Sequence, residues 1–209
     1  MAKIGMRYPV AAKITGYGAD GYPTYDQGII IGRGVKASIS YDTADAALYA
    51  DDLLAESDAS VVGYSGSLEV DGFGTHQSAK SEAVATIMQY LYNLDTSEDN
   101  SFEITDAMPP NLGMGYIRQV VKRHTKTYTV IWCHEVQFKN PADEDATKEK
   151  GVTFNTSTIE FTGHGVEVTP KSGDSRQVFV KQFTGFETLT AAKTKLYELA
   201  KIKETTGEV

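Results

Sequence analysis

Three stretches predict a mainly β fold, an antiparallel β-sandwich or barrel-like unit with a flanking α-helix and a C-terminal helix. The first is 115–163, in which Tyr128, Val130, Trp132, Val136 and Phe138 recur at even spacing. In an extended backbone such residues share one sheet face, opposite Thr129, Glu135 and Gln137, and read as a half-buried strand. Tyr116 to Arg123 alternates more weakly before it, and Val152 to Thr162, with Phe154, Ile159 and Phe161, resumes the pattern after it. Three successive strands make an antiparallel meander. The second stretch is Ser81 to Leu94, where Val84, Ile87, Met88, Leu91 and Leu94 form an apolar stripe at helical spacing behind Ser78 or Ser81 as N-caps. The third is Thr190 to Ile202, with Leu189, Ala192, Leu196 and Leu199 on one side.

In chain order, Ile4 to Ile14 predicts a first strand, with Pro9 confining its part of that strand to an edge or a bulge. Gly16 to Gly21 and Pro23 mark a loop. Gly28 to Gly32 and Val35 to Tyr41 are extended, with Gly32 and Gly34 bending the chain between them. Asp42 to Asp58 is acidic and lacks a clean period. A short helix through Leu48, Leu53 and Leu54 competes there with a projecting loop at about 41–60, and the loop is the favoured reading, because connections of this length are usually functional. Val61 to Val70 returns to the strand pattern. Met108 to Gly113 is a turn-prone lead into the meander, Lys122 to Thr127 its first reversal, and 141–151 a charged surface loop. Gly165 to Val168 and Arg176 to Phe183 predict further strands, and 203–209 a polar tail. These elements fit one domain over 1–209.

The 209 residues are 41% hydrophobic and 23% charged, an ordinary globular composition that buries a core without disulfides. The lone Cys133 excludes an internal disulfide and a multi-cysteine zinc site, and its place in the central strand reads as a small buried hydrophobe. No apolar run has the length of a signal peptide or a membrane span, so the chain is expected to be made in a cytosol, with no membrane partner. A net charge of −8 disfavours a conventional nucleic-acid binder.

No catalytic, cofactor-binding or metal-binding set emerges. His76, His124, His134 and His164 stand apart, and His134-Glu135 lacks the second histidine of a zincin helix. Gly63-Tyr64-Ser65-Gly66-Ser67 lacks the spacing and the following helix of a nucleophile elbow. Asp51, Asp52, Glu56 and Asp58 offer carboxylates to calcium without EF-hand spacing, and a solvated acidic loop is the favoured reading. Tyr17, Tyr22 and Tyr25 read as part of a packed loop rather than a carbohydrate platform.

Arg7-Tyr8-Pro9-Val10-Ala11, then Leu48-Tyr49-Ala50-Asp51-Asp52 followed by Ala55-Glu56-Ser57-Asp58, then the strand from Val130 to Phe138, occur in that order. The combination resembles the major tail (tail tube) proteins of long, non-contractile-tailed bacteriophages. The resemblance implies a structural, non-enzymatic virion protein made in the bacterial cytoplasm. Six subunits would close into a ring, and stacked rings would form a tube that conducts double-stranded DNA without binding it specifically. The other partners it implies are tape measure and tail terminator proteins. It assigns the contact with the adjacent ring to Leu48, Tyr49, Asp51, Asp52, Leu53 and Glu56. A basic wall would hold DNA, so the lumen is expected to be lined by acidic and neutral side chains. The competing readings are a monomeric β-barrel that binds a small ligand in a closed apolar interior, and a β-sandwich hydrolase or adhesin built on His134-Glu135 and the acidic loop.

Overall fold

The computed structural model describes residues 2–44, 46–50, 53–73, 84–94, 103, 106–123, 125–139, 156–169 and 173–203. Of the described residues 65% are in strands and 13% in helices, so the fold is mainly β, with the flanking and C-terminal helices expected. In order the elements are β1 (Ala2–Tyr17), β2 (Pro23–Ile30), β3 (Gly32–Thr43), β4 (Ala46–Ala50), β5 (Leu53–Asp58), β6 (Val61–Phe73), α1 (Val84–Tyr92), β7 (Asn111–Lys122), β8 (Thr125–Phe138), β9 (Ser157–Gly163), β10 (Val166–Val168), β11 (Arg176–Val178), β12 (Val180–Phe186) and α2 (Leu189–Ala200).

The main sheet runs β2-β1-β7-β8-β9-β6-β3, with β12 joined to β8 as a branch. Its pairings are all antiparallel, and β7-β8-β9 is the meander that alternation predicts. The sheet curls until β3, last in the order, lies alongside β1. The approach is close enough that a Cβ on Gly34 would collide with the Met6 side chain.

The core has two parts because the sheet has two covered faces. Inside the curl, Met6, Leu68, Val70, Leu112, Met114, Cys133, Phe138 and Phe161 pack with Ile87, Met88, Leu91, Tyr92 and Leu94, the α1 stripe and its continuation. Outside it, α2 lays Ala192, Leu196, Tyr197 and Ala200 over Val10, Ala12, Ile117, Val130 and Trp132. Fully burying a Leu-sized side chain is worth about 2 kcal/mol, so these contacts hold a twelve-residue helix that propensity alone leaves marginal. Thr188 caps α2 by accepting from Ala191 N–H at 3.2 Å, and Lys201 closes it in the left-handed region at φ 56°.

Several expectations change. The even spacing of Val130, Trp132, Val136 and Phe138 does not put them on one face. Val130 and Trp132 belong to the α2 side, Val136 and Phe138 to the interior. The cause is a bulge: Leu112 faces Val136 but Met114 faces Cys133, so β8 carries one extra residue near His134-Glu135 and its side-chain parity inverts. Nor is β8 half-buried, since Val130 to His134 are all buried. β1 pairs with β7 along most of its length but with β2 only from Val10 onward, so Pro9 sits just before that second ladder begins and beside a register shift between Arg7 and Val10. Gly32 and Gly34 fall at register shifts against β6. The candidate caps Ser78 and Ser81, the charged loop 141–151, Phe154 and the tail beyond Lys203 lie outside the described residues.

Candidate functional site

The acidic connection between β3 and β6 is neither helix nor irregular loop but a continuation of the β3–β6 hairpin. Antiparallel pairing runs from Gly32↔Phe73 to Thr43↔Val61. Ala44 N–H then donates to Ser60 O at 2.8 Å, and Ala46↔Asp58, Ala47↔Ser57 and Leu48↔Glu56 carry the same register onward into β4 and β5. A shift precedes Tyr49↔Leu54 and Ala50↔Leu53. The third strand, β9, covers β6 only from Val70 to Tyr64. Beyond Tyr64 the described ribbon is two-stranded, over a contour of roughly 35 Å at the usual rise per residue.

Two-stranded ribbons with free edges on both sides invite pairing with other chains, and charge is a common way to restrain it. Residues 41–60 hold Asp42, Asp45, Asp51, Asp52, Glu56 and Asp58 without a single Lys or Arg. At the base of the ribbon Tyr41 and Val62 are 47% and 57% exposed, with Val61 beside them. The arm is thus acidic and rooted in exposed apolar side chains.

Of the residues assigned to ring contact, Leu48 and Glu56 are cross-strand partners, Tyr49 pairs with Leu54, and Leu53 pairs with Ala50. Asp51 and Asp52 fall between the strands and outside the described residues.

A second cluster joins residues that the sequence names without showing that they meet. At the β8 bulge the strand changes neighbours: β12 pairs with Tyr128 to Cys133, β9 with Val136 to Phe138. His134 N–H donates to Phe179 O at 3.1 Å. The carbonyls of His134 and Glu135 accept from Tyr25 Oη at 2.8 Å and Tyr64 Oη at 3.0 Å. The Glu135 carboxylate accepts from Asn111 Nδ2 at 2.7 Å and from Tyr17 Oη at 3.2 Å. Tyr22 tilts against the His134 ring at 5.3 Å and Tyr25 stands edge-on to Trp132 at 5.1 Å. Tyr17, Tyr22 and Tyr25 are therefore packed, as the sequence indicates, but around a strand more than a hundred residues away. Burial, reinforced by the Lys181 charge, lowers the His134 pKa to about 4, so the imidazole is neutral near pH 7.

No protein-family profile, curated protein or solved structure matches this chain.

The remaining chemistry is sparse. Ser65 sits inside β6 between Ser40 and Thr162, in a flat ladder rather than on a strand-to-helix turn. The Cys133 thiol is fully buried and its pKa is pushed up to about 12, a state unsuited to nucleophilic or metal-binding thiolate chemistry. Among the described residues no three His, Cys, Asp or Glu side chains converge as a metal site. No helix among them is long and apolar enough to cross a membrane. Much of the interior of the curl is filled by side chains, and one cavity opens beside Met6, Tyr116 and Ile131 of that core. The cavities lie between elements: about 490 Å³ between β3 and the β7–β12 face, about 550 Å³ between β1, β3 and α2, and about 340 Å³ beside Tyr22, His134 and Lys181.

Proposed function

We propose that this chain is a structural subunit that assembles with copies of itself into stacked hexameric rings, forming the tail tube of a bacteriophage with a long, non-contractile tail. The tube would conduct double-stranded DNA at ejection. The observation that carries this reading is the ribbon: one continuous acidic hairpin that outruns its third strand beyond Tyr64 and is rooted in the exposed Tyr41, Val61 and Val62. A surface that reaches away from its own subunit and meets a different surface on the next makes a heterologous contact. Repeated, such contacts close into rings or extend into filaments. The buried Cys133 and His134 support a building block over an enzyme, and the Lys36, Arg118 and Gln182 side chains that line the cavity beside the core support it over a carrier with a closed apolar interior.

The test is deletion of Leu48 to Ser57. Both strands of the ribbon shorten together, so the subunit is expected to keep its thermal midpoint. Electron microscopy of the concentrated full chain is expected to show rings or tubes that the deletion lacks. Tubes unchanged by the deletion would remove the ribbon from the assembly, and a full chain that stays monomeric even with tail initiator components would end the reading.

A further inference from the structure

The two larger cavities adjoin, sharing Gly5, Met6 and Val35 as a common wall. Together they form one groove bounded by β1, β3, β7, β12 and α2. Its charge runs against that of the whole molecule. In a chain of net charge −8, the groove is lined by Arg7, Arg33, Lys36, Arg118 and Lys193, and among the described residues no Asp or Glu lines either half. Among the described residues no carboxylate pairs with Arg7, Arg33, Lys36 or Arg118.

Arg118 makes the groove more than a basic patch. Among the described residues its guanidinium makes one hydrogen bond, from Nη2 to Gln182 Oε1 at 3.0 Å. Its Nε is buried and has no partner among the described residues. A buried donor without an acceptor is costly, and guanidinium is shaped to take two oxygens of one carboxylate side by side. Tyr41 and Tyr116 line the same cavity, as does Ser38, so three hydroxyl-bearing side chains border it together with Arg118.

We propose that this groove receives the acidic β4–β5 hairpin of a second copy of the chain, with one of its carboxylates paired to Arg118. This rests on the self-assembly reading above and names the acceptor surface that reading lacks. The occupant follows from charge: residues 41–60 carry six carboxylates and no cation, the complement of a wall whose described residues include five cations and no carboxylate. The chain's own hairpin continues past Tyr41 with its two strands paired to each other rather than to the elements that bound the groove. Donor and acceptor are different surfaces of one chain, so each copy that docks leaves a free hairpin at one end and a free groove at the other.

Charge exchange on the full chain tests this. The groove variant is Arg33→Glu with Lys36→Glu, both exposed positions, and the hairpin variant is Glu56→Lys with Asp58→Lys; Arg118→Gln is made separately. Sedimentation and electron microscopy read assembly, and urea unfolding confirms that each variant folds. Each double variant alone is expected to need at least about tenfold more protein to assemble, and raising salt is expected to weaken wild-type assembly similarly. Mixing the two double variants is expected to restore assembly, because each supplies the surface that complements the other. Arg118→Gln is expected to impair assembly without lowering the urea midpoint. Wild-type assembly matched by the groove variant and by Arg118→Gln would overturn this inference and leave the self-assembly reading intact. If wild type and mixture both stay monomeric in the presence of tail initiator components, both fall together.

Discussion

Tyr25 Oη donates a 2.8 Å hydrogen bond to the carbonyl oxygen of His134, at the residue where β8 exchanges β12 for β9 as its neighbour. A bulge takes backbone groups out of the ladder, and a buried carbonyl so released needs another donor. Tyr64 does the same for Glu135 at 3.0 Å, and there His164 N–H also donates, at 3.2 Å. Two side chains from strands distant in sequence thus hold the branch of the sheet.

Tyr25→Phe is expected to destabilise the fold by about 1–2 kcal/mol, because it keeps the ring but strips the His134 carbonyl of its donor. Tyr64→Phe is expected to cost less, since His164 N–H remains on the Glu135 carbonyl. Urea unfolding of both variants checks the order, and a larger loss for Tyr64→Phe would contradict the role given to His164.

Acid is expected to weaken the fold through His134. Burial, and secondarily the Lys181 charge, holds its pKa at about 4, below the ordinary value of 6.5. Between those values the unfolded chain binds the proton and the folded chain does not, so stability rises with pH across that window. The contribution is fully present above about pH 6.5 and is lost as pH falls toward 4, on the order of 2 kcal/mol for a group only 5% exposed. Urea midpoints of wild type and His134→Gln from about pH 4.5 to 7.5 are expected to show a steeper slope for wild type.

Gly115→Ala is expected to cost about 2 kcal/mol or more. A Cβ there would lie 2.5 Å from Trp132 Cε3, 2.8 Å from Leu196 Cδ1 and 2.9 Å from Ile131 O, so α2 would have to lift from the sheet. The loss is expected as a lowered thermal midpoint with weaker near-ultraviolet circular dichroism from Trp132. A variant as stable as wild type would show that α2 can shift without penalty.

Cys133 is expected to resist thiol reagents in the native state at pH 8. Its side chain is fully buried inside the curl and its pKa is pushed up to about 12, so labelling has to wait for the core to open. Labelling rates are expected to follow urea concentration as the unfolded population does. Rapid labelling of folded protein would place the thiol nearer solvent than β8 puts it.

Periodicity along the chain determined the meander, the α1 stripe and α2, because the next two to four residues set which side chains share a face. The acidic, cation-free character of 41–60 was equally plain, since charge needs no structure to be counted. Only the tertiary structure decided the rest. The bulge at His134-Glu135 exists because β8 must meet β12 along one half and β9 along the other, and its single extra residue inverted the face of Val136 and Phe138. The register that makes 41–60 a ribbon depends on pairing across the hairpin, and the basic groove on side chains of β1, β3, β7 and α2 meeting in a curled sheet. Strand pairing and charge convergence belong to partners remote along the chain, so a local pattern carries neither.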